Sequence, residues 1–329
     1  MKIPLKGKVV VLTGASSGIG RAAALEFARR GAHLVLAARG VAALEEVAAL
    51  CRRAGSHALV VETDVSDEEA VRRLAAKSLE ITGRVDVWVN NAGVTVFAPL
   101  DEGPFEPHRR VIETNVFGAM FGARAVLPIF RRQHAGVLIN VSSVLGKVGQ
   151  PYVPSYVISK FALQGLSATL RTTVADERDI HVCTLLPYAV DTPHFEHGAN
   201  LVGLDSRSMP PMQTPEEVAR ALVSLAERPR RQRYVPRGAR FALALYAMFP
   251  GIGDRMLLHI TREWHFGHRP QPPTAGTLYS PDVESAQVRG HRPALTTFPR
   301  LLLWGAGHLV RGIWDKRSRR SSLRPHSSP

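Results

Sequence analysis

Tyr156 and Lys160 stand four residues apart, and Ser143 precedes them by thirteen and seventeen positions. Residues at i and i+4 project from one face of a helix, so an ammonium can lie beside a phenol. A positive charge there favours phenolate, which is expected to lower a tyrosine pKa from about 10 towards working pH. Near the N-terminus, Thr13-Gly14-x-x-x-Gly18-x-Gly20 lies between an apolar run and a helix-period segment. Glycines in such a turn let a pyrophosphate approach the backbone at the amino end of a helix. Either feature alone is weak, since Gly/Ser-rich turns between strand and helix are common. Together they point to hydride transfer beside a dinucleotide.

Elements that could position these residues alternate along the chain. Strand-like runs at Lys8–Leu12, His33–Ala38, His57–Glu62, Val85–Asn90, Gly136–Ser142 and His181–Leu186 are separated by helix-period segments. The helices are expected over Gly18–Arg30, Val41–Arg53, Asp67–Ile81 (Ser66 as N-cap), Glu106–Gln133 and Ser155–Glu177. Thr214-Pro-Glu-Glu supplies a cap, a first-turn proline and two acids, so a helix should run to Glu227, with Arg233–Val235 a short edge strand. This order predicts an α/β protein, a doubly wound parallel sheet of about seven strands with helices on both faces, over residues 1–235.

In an open sheet of this kind, ligands bind outside the carboxyl ends of the strands. The second strand ends at Ala38-Arg39, where an acid would bind ribose hydroxyls and repel a 2′-phosphate. Arginine's planar fork of donors suits phosphate, so NADP(H) is favoured over NAD(H). A solvated strand-end arginine is the plainer reading. Asp64-Val65 and Asn90-Asn91-Ala92-Gly93 follow the third and fourth strands and fall on the same side. Asn115 lies mid-helix, where asparagine adds little to helix stability.

In these motifs, in order and at these spacings, the chain resembles a short-chain dehydrogenase/reductase of the single-domain Rossmann type. The resemblance spans about residues 5–235 and includes Pro187-x-x-Val190-x-Thr192. It implies that Tyr156 exchanges a proton with the substrate oxygen, Ser143 orients that oxygen, and Lys160 lowers the tyrosine pKa and binds the nicotinamide ribose. Asn115 would hold a water that completes a proton relay. Gly14, Ser16, Ser17, Gly18, Ile19 and Gly20 would line the pyrophosphate turn. Asp64 and Val65 would border the adenine, and Asn91, Ala92 and Gly93 the path to the nicotinamide. Pro187, Val190 and Thr192 would fix its amide end. The family usually has Pro-Gly where this chain has Pro187-Tyr188, so Tyr188 either narrows the pocket or covers it. Many NADP(H)-binding members carry a basic residue in the glycine turn, where Ser17 stands, which leaves Arg39 to meet a 2′-phosphate. A homodimer or homotetramer is the family's usual assembly.

The 329 residues carry a net charge of +14, with +9 of it in residues 236–329. Such a basic extension suits nucleic acid, an acidic partner or an anionic membrane, and the absence of any RNA-binding or zinc-finger pattern argues against nucleic acid. Two cysteines in apolar segments read as buried thiols in a reducing compartment, and Met-Lys-Ile-Pro-Leu-Lys offers no apolar signal region, so a cytoplasmic protein is expected. Within the extension, Ala239–Phe249 is an apolar stretch broken by Pro250, Gly251, Gly253 and Asp254, and 267–297 reads as irregular. Leu301–Trp314 fits one apolar helical face, followed by a basic run and a disordered end. That helix either docks on the protein or its partner subunit, or lies in an anionic membrane interface.

The loop Thr192–Gln213 contains Phe195, Leu201, Val202, Leu204 and Met209, a set suited to a hydrophobic ketone, steroid-like or oxoacyl substrate. No metal site is expected: His194-x-x-His197, His265 and His268 read as solvated loop histidines. The function expected is NADP(H)-dependent interconversion of a carbonyl and a secondary alcohol. The competing class is a non-catalytic, redox-responsive binding module, with or without membrane association.

Overall fold

A computed structural model describes residues 2–206, 212–281 and 287–290. The apolar runs form strands β1 (Val9–Thr13), β2 (His33–Ala38), β3 (Ala58–Glu62), β4 (Val87–Asn90), β5 (Gly136–Val141), β6 (Ile180–Pro187) and β7 (Gln232–Val235). They pair in the order β7-β6-β5-β4-β1-β2-β3, parallel throughout. Helices α1 (Gly18–Arg29), α2 (Val41–Arg53), α3 (Glu68–Ser78), α4 (Glu106–Ile112), α5 (Gly118–Arg132), α6 (Pro154–Thr173) and α7 (Pro215–Glu227) cover it.

Successive strand residues point to opposite faces, so each strand feeds two cores. Val10 and Leu12 pack with Phe27, Leu44 and Leu222 from α1, α2 and α7. Val9 and Val11 pack with Leu74 and Phe130 from α3 and α5. A buried polar ladder fastens α5 and α6 to the sheet centre. Trp88 donates to Asn90 Oδ1 (2.8 Å), Asn90 Nδ2 donates to Ala119 O (3.1 Å) and Asn140 Oδ1 (2.8 Å), and Asn140 Nδ2 donates to Ser167 Oγ (2.9 Å). Leaving any of these groups unpaired would incur its full desolvation penalty, which fixes where α6 sits.

Four expectations are corrected. Asp67, not Ser66, caps α3, its carboxylate accepting from Glu69 N (2.9 Å), while Ser66 Oγ donates to Asp64 (2.7 Å). The helix expected over Glu106–Gln133 is interrupted by a π turn at Glu113–Phe117, one widened turn of the kind found at functional sites. Asn115 holds that turn to residue 94 through backbone contacts in both directions. Pro250 does not end the apolar stretch in a loop. It occupies the first turn of a second helix, where its missing N–H costs nothing, giving α8 (Ala239–Met248) and α9 (Pro250–Ile260). Finally, the segment expected to be irregular begins with a strand, Phe266–Pro270, antiparallel to Leu204–Ser206. The capping box at Thr214 is present as expected. Met209, the Leu301–Trp314 face and the terminal basic run lie outside the described residues.

Candidate active site

Strands β1, β4, β5 and β6 end in Thr13, Asn90, Val141 and Pro187, and the candidate residues follow directly. Chain order reverses between β4 and β1, which makes their carboxyl ends the switch point where such sheets bind ligands. Gly14, Ser16, Ser17, Gly18, Ile19, Gly20, Arg39, Asp64, Val65, Asn91, Ala92, Gly93, Ser143, Tyr156, Lys160, Pro187, Val190 and Thr192 all line one cleft there. Asn115 stands behind its wall, where a Cβ on Gly93 would lie 3.3 Å from Asn115 Oδ1.

The glycine turn fits a dinucleotide. Gly14 has φ +65°, and a Cβ on Gly20 would fall 1.9 Å from Gly14 O, so only glycine allows this approach of strand end to helix. Thr13 Oγ1 accepts from Asn91 N (3.0 Å) and Ala92 N (3.1 Å). Asn91 Nδ2 donates to Thr13 O (2.9 Å) and Gly14 O (3.2 Å), so its amide braces the turn as well as lining the cleft.

Pro154 opens α6, placing Tyr156 and Lys160 in its first two turns. The Tyr156 hydroxyl faces Ser143, and both line the cleft. Ser143 Oγ in turn accepts from Leu145 N (3.1 Å) and donates to Pro187 O (3.4 Å). Ser142 faces the other way, donating to Lys160 O (3.0 Å) and accepting from Gln164 Nε2 (2.8 Å). Lys160 is buried, its ammonium donating to Val141 O (3.1 Å) and lying 5.2 Å from the centroid of the Tyr156 ring. Burial pushes the Tyr156 phenol up to about 12, with the Ser143 hydrogen bond opposing, and pushes Lys160 down to about 8. The expectation of a lowered tyrosine pKa is therefore reversed. Desolvation dominates, and the Lys160 ammonium spends a hydrogen bond on the Val141 carbonyl.

Asn115 is tied on three sides. Its Oδ1 accepts from Val94 N (2.8 Å), and its Nδ2 donates to Val94 O (3.0 Å) and Ser159 Oγ (3.0 Å). Ser159 Oγ donates to Tyr156 O (2.7 Å), so this chain of bonds also steadies the first turn of α6.

At the opposite end of the cleft, Arg110 pairs with Asp64 (2.5 Å) and donates to Ser66 Oγ (2.5 Å). Burial pulls the Asp64 carboxyl upward, but hydrogen bonds from Ser66 and Arg110 outweigh it and hold the group below its ordinary range. Arg39 lies beside this pair, yet it does not present a free fork of donors. Its guanidinium donates to the carbonyls of Thr277 (2.6 Å), Tyr279 (2.9 Å) and Leu278 (3.2 Å). Gly18 N, at the amino end of α1, donates to Gln287 O (2.9 Å). Backbone carbonyls of the C-terminal extension thus occupy two positions where phosphate oxygens are expected. Nothing in the pattern of residues 277–290 signalled this.

The substrate end was also incompletely legible. Phe97, Val153 and Phe266 form a buried cluster against which Tyr156, Val202 and Leu204 pack. His194 and His265 line the cleft instead of facing solvent, which corrects their reading as solvated. The His194 ring centroid lies 5.8 Å from that of Tyr156, and burial together with nearby Lys160 pushes its pKa down to about 4. His265 is buried against Phe97 (5.2 Å) and Phe266 (5.1 Å). Tyr188 lines the same space, and burial raises its phenol.

Known proteins share both the sequence and the fold. The model of the short chain dehydrogenase family matches residues 8–200. The uncharacterized oxidoreductase YxnA of Bacillus subtilis is 36% identical over 274 residues, which cover 82% of this chain and 76% of that protein. An alcohol dehydrogenase from Thermococcus sibiricus, solved with 5-hydroxy-NADP, is 32% identical with a TM-score of 0.62, covering 70% of this chain and 96% of its own. A short chain dehydrogenase/reductase from Burkholderia phymatum, solved with NAD, is 27% identical with a TM-score of 0.69, covering 83% and 99%. The chain belongs to the short-chain dehydrogenase/reductase family of oxidoreductases.

Proposed function

We propose that this oxidoreductase reduces a hydrophobic carbonyl compound to a secondary alcohol at the expense of NADPH, with residues 1–235 as the catalytic unit. The observation that carries this reading is the Tyr156–Ser143 pair beside buried Lys160, lining one cleft with a glycine-only dinucleotide turn. A nicotinamide dinucleotide bound along the cleft supplies the hydride to the carbonyl carbon. Gly14 to Gly20 would hold its pyrophosphate, Asp64 and Val65 its adenine, and Pro187, Val190 and Thr192 its amide. Lys160 would meet the nicotinamide ribose.

Tyr156 gives its proton to the carbonyl oxygen, and hydride and proton together complete the alcohol. A phenol held at about 12 stays protonated at neutral pH, which suits an acid in the direction of reduction. Ser143 positions the substrate oxygen and steadies the phenolate left behind, and the Lys160 ammonium offsets that charge. Asn115 anchors the turn from which a water relay would return the proton. The Phe97, Val153 and Phe266 cluster favours a ketone, steroid-like or oxoacyl substrate over a polar one.

The preference for NADPH rests on charge at the adenosine end. Two guanidiniums, Arg39 and Arg110, face one carboxylate, Asp64, and Ala38 takes the place of a ribose-binding acid. A 2′-phosphate would compete with the carbonyls of residues 277–279 for Arg39, and a charge-assisted bond is the stronger of the two. A panel of ketones, oxoacyl esters and sugars, read by consumption of NADPH or NADH, tests the proposal. Turnover of apolar carbonyls with NADPH is expected; turnover confined to sugars and polyols would refute the substrate class.

A further inference from the structure

The helices α8 and α9 present an apolar surface that the rest of the described chain leaves uncovered. Phe241, Leu245 and Met248 recur at helical spacing on one side of α8, Phe249 follows at the joint with α9, and Phe241 is 66% exposed. Ile252 and Met256 continue the surface onto α9, with Ile252 at 69% exposed. No residue of α8 is buried. An ordinary surface helix buries its apolar stripe against the core, so this pair of helices is built to meet something else.

The charges around the surface identify its partner. Arg237, Arg240, Arg255 and Arg262 are all exposed, and the Arg240 guanidinium lies 4.7 Å from the centroid of the Phe241 ring. On α9, Arg255 falls beside Ile252 and Met256 on the helical wheel. The acid within the hairpin, Asp254, accepts a hydrogen bond from Tyr246 Oη (2.6 Å). Aromatic and aliphatic side chains rimmed by arginines match the boundary between acyl chains and anionic headgroups, where arginine stems lie along the apolar layer and the charge reaches phosphate. A second copy of the chain would bring one arginine rim against another. The helices are ten and eleven residues long, too short to cross a bilayer and suited to lying in its surface.

We propose that the α8–α9 hairpin is an interfacial membrane-docking face selective for anionic lipid. From α9 the chain runs through Thr261–His265 into Phe266, so the docking face is joined to the wall of the cleft. A bilayer held there would lie close to a pocket for apolar carbonyls; this last link rests on the proposed substrate class, whereas the lipid contact does not.

Co-sedimentation of the full chain with vesicles of phosphatidylcholine, alone or mixed with phosphatidylglycerol, tests the proposal. Binding to the anionic vesicles and at least tenfold weaker binding to neutral ones is expected. The Phe241→Ser/Ile252→Ser variant should lose at least tenfold in anionic-vesicle binding while keeping its melting temperature and NADPH binding. Arg240→Glu/Arg255→Glu should lose binding in the same way, without removing apolar area. Three results would overturn the proposal: no vesicle binding by the wild type, equal binding by the wild type and the variants, or a wild-type dimer that the Phe241→Ser/Ile252→Ser variant dissociates. Failure of the ketone panel with intact vesicle binding would instead count against the proposed activity alone.

Discussion

Ser142 and Ser143 differ only in what they touch, and that difference separates a structural hydroxyl from the one proposed to act in catalysis. Ser142 joins the backbone of α6 to Gln164, whereas Ser143 reaches the Tyr156 hydroxyl. Ser143→Ala is expected to lower kcat by about 10²–10⁴-fold with little change in melting temperature. Ser142→Ala should instead cost about 1–3 kcal/mol of stability, with a smaller kinetic loss. Unfolding curves and initial rates on both variants separate the roles. Lys160 carries a cost of its own. Because burial lowers its pKa to about 8, the folded state disfavours the ammonium, and the penalty is fullest below that pH. It falls as pH rises through 8 and vanishes above lysine's ordinary range. Lys160→Met is therefore expected to melt higher than the wild type at pH 7, with the gap closing towards pH 10 and beyond, while turnover is lost. A gap that grew with pH would reverse the sign.

At the scale of elements, the glycine turn, the strand ends and the first turns of α6 were legible because each depends on local chemistry: turn glycines, period-2 apolar runs, a proline-led helix start. The π turn was not, because it is held by Asn115 reaching Val94, 21 positions back, which no helical period encodes. The histidines were misread for a related reason. His194 looks solvated until the Tyr156 ring meets it, and His265 until Phe97 packs against it from a distant segment. Arg39 shows the same limit: its position at the end of β2 was legible, but not the three carbonyls some 240 residues onward that take its donors. That contact has a testable consequence. Hydrogen exchange over residues 277–281 is expected to quicken when NADPH binds and to change less with NADH, since only the former competes for Arg39. Arg39→Ala should weaken NADPH at least tenfold more than NADH, read by fluorescence titration; equal losses would mean that Arg39 does not read the 2′-phosphate.

Across the whole molecule, one parallel sheet gathers residues from Gly14 to Thr192 at a single edge, and the extension after Val235 supplies part of the surrounding wall through His265, Phe266 and Leu278. Leu278 is buried beside Val94, Val96 and Val111, so the segment that holds Arg39 is anchored in the same core as α4. The chemistry proposed for the cleft is hydride transfer to an apolar ketone with Tyr156 delivering the proton. Its most direct test is deuteride transfer from NADPH deuterated at nicotinamide C4 to a hydrophobic ketone, followed by mass spectrometry of the alcohol. The wild type is expected to give alcohol carrying one deuterium on the former carbonyl carbon, and Tyr156→Phe to bind NADPH normally yet form none. Deuterated alcohol from Tyr156→Phe at the wild-type rate, or no labelled alcohol from the wild type across the ketone panel, would contradict the claim.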